Sequence, residues 1–239
     1  MKIAFISDIH ANIFALREVL SDIEKQNVDR VICLGDLVGY ATFPNEVINL
    51  IRKNNILTIQ GNYDQSTGEE LMECGCDYKT QEALERASRS LFWTQDEVTA
   101  ENKKWLKDLP ENKHLEIEGW NLFLVHGSPR KNNEYLYPGK IDTIKQITAK
   151  YNFDILVSGH IHQPYFKVFN DKYIVNAGSA GKPKHGSPRA TYIIMDLYKD
   201  GFDYFTREVE YNYEKTAGEI EKEPEMPDQF ATLFRNGQG

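Results

Sequence analysis

The chain has 239 residues, with 28 Lys and Arg against 36 Asp and Glu, a formal charge of -8. That length suits one sizeable domain able to bury a core without staples, and the acidic balance argues against bulk nucleic acid while leaving room for a local basic patch that binds one anionic ligand. Cys33, Cys74 and Cys76 lack framework spacing and read as reduced thiols, the apolar run of MKIAFISD is too short for a signal peptide, and no stretch reaches membrane-span length, so a soluble cytoplasmic protein with no membrane partner is expected.

KIAFIS opens the chain as a short apolar strand. IFALREVLSDIEKQ follows, with Leu16, Val19, Leu20 and Ile23 in one helical stripe. DRVICL, then NEVINLIRKNN with Val47, Ile48, Leu50 and Ile51, then NILTIQ repeat the alternation. The order β-α-β-α-β predicts parallel strands joined by right-handed crossovers. Residues 65–112 break the rhythm: KTQEALERASRS and SLFWTQDEVTAENKKWLKDLP read as helices, with Thr99 as an N-cap and Pro110 as a stop. They form a helical insertion or cap over one sheet edge. NLFLVH, DILVSG, KYIVNA and TYIIMDL follow with less helix between them, which predicts a mixed sheet or a second sheet. The whole chain, 1–239, reads as one domain, and residues 206–239, with two prolines in KEPEMP and a polar tail, read as a surface appendage.

Five of the apolar runs end in chemistry. KIAFIS leads to Asp8 and His10, DRVICL to Gly35 and Asp36, NILTIQ to Gly61, Asn62 and Asp64, NLFLV to His126, and DILVS to Gly159, His160 and His162. The carboxyl ends of parallel strands line one crevice in open α/β sheets. Singly, each residue has an ordinary explanation: Asp8 as a helix cap, Asn62 as a turn residue, His126 as a satisfied polar group. Jointly, carboxylates, an amide and four imidazoles in one crevice repel or desolvate one another unless a cation neutralises them. Imidazole with carboxylate and no thiolate suits Mn, Fe, Zn or Ni over Ca. Seven ligand groups exceed the needs of one ion and match two, about 3.5–4 Å apart with a shared carboxylate.

DIH at 8–10, GDLVGY at 35–40, GNYD at 61–64, HGS at 126–128 and GHIH at 159–162 resemble the ordered signature of calcineurin-like metallophosphoesterases. HGSPRKNNEYL and NAGSAGKPKHGSPRATYIIMD are similar to segments of the small bacterial and archaeal members. The resemblance implies a four-layer α/β/β/α fold, a two-sheet sandwich flanked by helices. It implies that Asp8, His10 and His162 hold one metal, that Asn62, His126 and His160 hold the other, and that Asp36 bridges them. Asp36, Asn62, Asp64 and His126 would then serve catalysis, with manganese favoured as the cofactor. The implied activity is hydrolysis of a phosphodiester or a nucleotide-like phosphate ester by a metal-activated hydroxide.

Many relatives carry histidine where this chain has Tyr63. A phenol is a poor acid at neutral pH, so packing or substrate stacking is the expectation for Tyr63, with leaving groups that need little protonation preferred. Arg130, Lys182 and Arg189, with Lys131 and Lys184, are candidates to face substrate phosphate or to be ordinary surface charge. His185 is a conceivable substitute acid and reads better as a solvated loop residue. Trp93 and Trp105 read as core under the cap. Alternative functions are a non-catalytic metal-binding interaction scaffold on the same fold and a phosphoprotein phosphatase; homo-oligomerisation stays open.

Overall fold

The computed structural model describes residues 1–238. The first half alternates as expected: β1 (Lys2–Ile6), α1 (Ile13–Lys25), β2 (Arg30–Cys33), α2 (Pro44–Lys53) and a short β3 (Leu57–Thr58). Helix α1 starts where the Asn12 side chain accepts from the Ala15 amide, so Asn12 rather than Asp8 is its cap. Its stripe of Ile13, Ala15, Leu16, Val19 and Ile23 is buried. Helix α2 has Pro44 in its first turn, where a missing N–H costs nothing, and buries Val47, Ile48 and Ile51.

Three helices follow: α3 (Asn62–Gly68), α4 (Gln81–Glu97) and α5 (Ala100–Lys107). Thr99 caps α5 through the Asn102 amide, 3.3 Å away, and the helix ends three residues before Pro110. The insertion leaves the sheet at β3, where the Gln60 amide donates to the Pro110 carbonyl. Trp93 is buried in the core beneath it, and Arg52 lies over the Trp105 ring.

The second half supplies β4 (Asn112–Ile117), β5 (Trp120–Val125), α6 (Ile141–Lys150), β6 (Ile155–Ser158), β7 (Tyr165–Phe169), β8 (Lys172–Asn176), β9 (Ala190–Tyr198), β10 (Gly201–Val209), α7 (Tyr213–Lys222) and α8 (Gln229–Asn236). The strands form two five-stranded sheets, ordered β10-β9-β1-β2-β3 and β4-β5-β6-β8-β7. Strands β1, β2 and β3 run parallel, as do β5, β6 and β8, while the remaining pairings are antiparallel.

Alternation along the strands builds the layers. Ile3 and Phe5 of β1 join Leu122 and Leu124 of β5 and Ile155 and Val157 of β6 in the core between the sheets. Ala4 and Ile6 turn the other way, onto α1, α2, α7 and α8. Phe123, Leu156 and Ile174 pack on Ile144 and Ile147 of α6. The result is the helix, sheet, sheet, helix order expected. No helix among the described residues is long and apolar enough to cross a membrane.

The C-terminal reading needs correction. Residue 206 falls inside β10, which pairs with β9 along its full length, and α7 and α8 bury Ala217, Ile220, Phe230, Ala231 and Phe234 in the main core. The segment is a structural layer rather than an appendage, because its short apolar stripes cover the outer face of the first sheet.

Candidate metal centre

The C-terminal ends of the parallel strands of both sheets meet at one rim of the sandwich. There β1 delivers Asp8 and His10, β2 delivers Asp36, and the start of α3 delivers Asn62; from the second sheet β5 delivers His126, and β6 delivers His160 and His162. All seven residues are buried. Five of them hold left-handed backbone: Asp8 at φ 54°, His10 at 49°, Asp36 at 54°, His160 at 67° and His162 at 58°. Each such residue costs on the order of 1–3 kcal/mol, and clusters of them mark functional sites. The strain persists because cross-loop bonds fix it: the Asp8 amide donates to the Gly35 carbonyl, the His10 amide to the Asp36 carbonyl, and the His160 amide to Asp8 Oδ2 at 2.9 Å. Gly61 and Gly159 are required by space, since a Cβ would lie 2.2 Å from Asp36 Oδ1 or 1.9 Å from Ser7 Oγ.

The donors fall into two groups, Asp8, His10 and His162, and Asp36, His126 and His160, with ligand atoms in each group within 4.8 Å of one another. Asp36 Oδ2 lies 3.7 Å from His10 Nε2 and 3.4 Å from His126 Nε2, so one carboxylate oxygen stands between the groups. Asn62 Oδ1 lies 3.1 Å from His126 Nε2. The amide orientation is fixed because Asn62 Nδ2 donates to the Cys74 carbonyl and to Cys76 Sγ.

The proton positions follow from the partners. His10, His126 and His162 place Nδ1 against the carbonyls of Val38, Leu34 and Lys182, at 3.0, 2.7 and 2.5 Å. A carbonyl only accepts, so each Nδ1 carries a proton, and on the neutral His10 and His162 rings Nε2 presents a lone pair. His160 reverses this: its Nε2 faces the Asn133 carbonyl at 3.1 Å, which leaves Nδ1 bare. Bare nitrogens then face other acceptors. His10 Nε2 and His162 Nε2 are 3.2 Å apart, His162 Nε2 is 3.2 Å from Asp8 Oδ1, and that oxygen is buried without a hydrogen-bond partner. Lone pairs buried against lone pairs repel unless a cation sits among them. The donor set fits a pair of divalent metal ions.

The electrostatics agree. Burial pulls His10 and His160 down to about 3, so both imidazoles are neutral donors at ordinary pH. Burial opposes a charge on His126 as well, yet Asp36 and Asp8 push it up to about 9: the site attracts positive charge. Burial likewise opposes the Asp36 charge, but His126, by charge and by hydrogen bond, holds its carboxyl well below the usual range.

Asp64 stands behind the cage. Its Oδ2 accepts from the amides of Asp36 and Gly61 and its Oδ1 from that of Leu37, at 2.8 to 3.0 Å. It therefore ties the loops after β2 and β3 together and positions Asp36. Tyr63 donates its amide to Asp36 Oδ1 at 2.8 Å, while its ring is 1 % exposed, packs against Tyr40 and His10, and has its hydroxyl on Tyr78. Substrate stacking is not open to a ring so enclosed, and packing is its role. Arg130 and Arg189 are also corrected: Arg130 pairs with Glu134 and Gln146, and Arg189 with Glu208 and Glu210, so both guanidinium groups are already engaged on the surface. Lys182 is the candidate that reaches the site. It is 2 % exposed, and burial with Lys184 nearby pulls its ammonium pKa well below the ordinary value. His185 is half-buried, with neither ring nitrogen bonded, not the solvated residue expected.

The residues that orient the imidazoles act through backbone carbonyls, which any side chain can accompany, so nothing in the sequence marks Leu34, Val38 or Asn133. The contacts of Cys74 and Cys76 with Asn62 and of the Tyr135 ring with His160, 4.2 Å between centroids, likewise depend on the fold of the cap and the loop after β5.

The fold and these donors define a metal-dependent phosphoesterase class. Residues 1–200 match the calcineurin-like phosphoesterase superfamily domain, and the chain belongs to that family. It is 33 % identical over 239 residues, 92 % of each chain, to the uncharacterized protein MJ0912 of Methanocaldococcus jannaschii. It is 24 % identical over 205 residues to the phosphodiesterase MJ0936 of the same organism, covering 83 % of this chain and 95 % of the other. The crystal structure of a metallophosphoesterase from Sphaerobacter thermophilus superposes with a TM-score of 0.77 at 28 % identity, over 99 % of both chains.

Proposed function

We propose that this protein hydrolyses phosphate esters with two divalent cations, manganese first among Mn, Fe, Zn and Ni. Asp8, His10 and His162 would hold one ion, Asn62, His126 and His160 the other, and Asp36 both. The observation that carries the reading is the set of buried lone pairs aimed at one another, above all His10 Nε2 against His162 Nε2 at 3.2 Å with Asp8 Oδ1 unpartnered beside them. When bound, such ions supply an activated water and neutralise charge on the phosphoryl oxygens. The chain contributes rigidity: carbonyl-locked imidazoles, a Cys74-anchored Asn62 amide and the Asp64 tether keep the donors from collapsing onto one another. With Tyr63 enclosed and bonded to Tyr78, no imidazole stands at that position to protonate a leaving group, so aryl esters and nucleotide-like phosphates should react faster than alkyl esters.

The test is metal analysis and hydrolysis of nitrophenyl and bis-nitrophenyl phosphate with added Mn²⁺. About two equivalents of metal and measurable turnover are expected, with turnover abolished in Asp36→Asn. Metal uptake without turnover on either ester or on a nucleotide panel would instead mark a binding scaffold.

A further inference from the structure

One buried cation near the cage has no counter-charge. Lys182 Nζ meets no carboxylate or carbonyl among the described residues and rests 4.1 Å over the Tyr40 ring, although the residue is 2 % exposed. The nitrogen itself is not wholly enclosed, so the ammonium ends at the edge of solvent beside the cage with no protein acceptor. Its backbone is pinned to the first metal group: the Gly181 amide donates to the Asp8 carbonyl, the Lys182 carbonyl accepts from His162 Nδ1, and the Lys182 amide donates to Ser179 Oγ at 2.7 Å. The Tyr40 ring beneath the ammonium meets the His10 imidazole edge-on, 4.9 Å between centroids. Lys182 is thus coupled to all three members of that group while bonding to none through its side chain.

Charge decides what the ammonium is for. Asp8 and Asp36 carry two negative charges at most; two dications more than balance them, and Lys182 then adds to a positive surplus. The turn is buried and hydrogen-bonded to Asp8, His162 and Ser179, which keeps the lysine beside the cage. A diester phosphate offers two terminal oxygens and one negative charge. A monoester phosphate, or the terminal phosphate of a nucleotide, offers three terminal oxygens and close to two negative charges near neutral pH.

Resting on the phosphoesterase reading above, we propose that Lys182 Nζ is the donor for the third terminal oxygen of a dianionic phosphoryl group, and that it makes this site selective for phosphomonoesters over phosphodiesters. Lys182 is a specificity-determining residue on this account: it neither holds metal nor transfers a proton. Lys184, two residues on and half-buried, lacks a side-chain partner among the described residues and adds to the same field.

The experiment is calorimetric binding of inorganic phosphate and of dimethyl phosphate to the Mn-loaded protein, for wild type, Lys182→Met and Lys182→Arg. Wild type should bind inorganic phosphate at least about tenfold tighter than dimethyl phosphate. Lys182→Met should weaken inorganic phosphate by about ten- to a hundredfold, the scale of one charge-assisted hydrogen bond, and dimethyl phosphate by less than about threefold. Lys182→Arg should recover most of the loss. Equal weakening of both anions, or inorganic phosphate binding unchanged in Lys182→Met, overturns the proposal. If Lys182→Met does not fold, the wild-type ratio alone decides: no preference for inorganic phosphate overturns it. Binding is read without turnover, so a protein that shows this selectivity and hydrolyses nothing sinks the hydrolase reading and leaves the Lys182 assignment standing.

Discussion

The left-handed backbone at the candidate metal donors can be tested by comparing two truncations of the same side chain. His160, at φ 67°, is replaced by glycine and, separately, by alanine. Both variants lose the imidazole and its bond to the Asn133 carbonyl, so their difference isolates the backbone. A residue with a Cβ costs about 1–2 kcal/mol in this conformation. Glycine escapes that cost but gives up about 0.5–1 kcal/mol more conformational entropy on folding. The glycine variant should therefore be more stable by about 0.5–1 kcal/mol. At roughly 2–4 °C per kcal/mol for a chain of this size, its Tm should be about 1–4 °C higher. Thermal unfolding followed by circular dichroism in EDTA keeps metal binding out of the comparison. The same order is expected at His10 and His162. It should reverse at His126, which follows β5 with ordinary negative φ, making glycine the less stable there. Alanine matching or exceeding glycine at positions 10, 160 and 162, or no reversal at 126, would refute the claim that the fold stores strain at these candidate donors.

Two further outcomes test the fold and its electrostatics. Phe234 is fully buried in the C-terminal layer, so Phe234→Ala should cost about 3–5 kcal/mol, or roughly 6–20 °C in Tm; a change within error would show that α8 is dispensable. Burial opposes a charge on Asp22, but Arg207 and Tyr192 hydrogen-bond to it and hold its carboxyl below the ordinary 3.8. A carboxyl depressed on folding contributes stability that is complete above the unfolded value and lost as pH falls through the folded one. Asp22→Asn should thus be less stable than wild type near neutral pH, with the gap closing in strong acid; urea midpoints across that range that keep a constant gap would contradict the pairing.

The sequence by itself marked the central strands and brought forward the seven candidate donors. Buried strands must be apolar on both faces, so KIAFIS, DRVICL and DILVSG stand out from their surroundings, and β1, β2, β3, β5 and β6 each run into a polar cluster. The strands it left unmarked are β4, β7 and β10, each an edge strand of its sheet. Edges face water on one side and carry charge, as NKHLEI and GFDYFTREV do, so composition does not separate them from loops. Tertiary structure alone decided that α7 and α8 are core, since apolar stripes as short as theirs acquire meaning only against the face they cover. It also decided the division of labour among the cations. Arg130, Arg189 and Lys182 look alike in a sequence, and only the positions of Glu134, Glu210 and Tyr40 in space leave two of them paired on the surface and one buried beside the cage without a counter-charge.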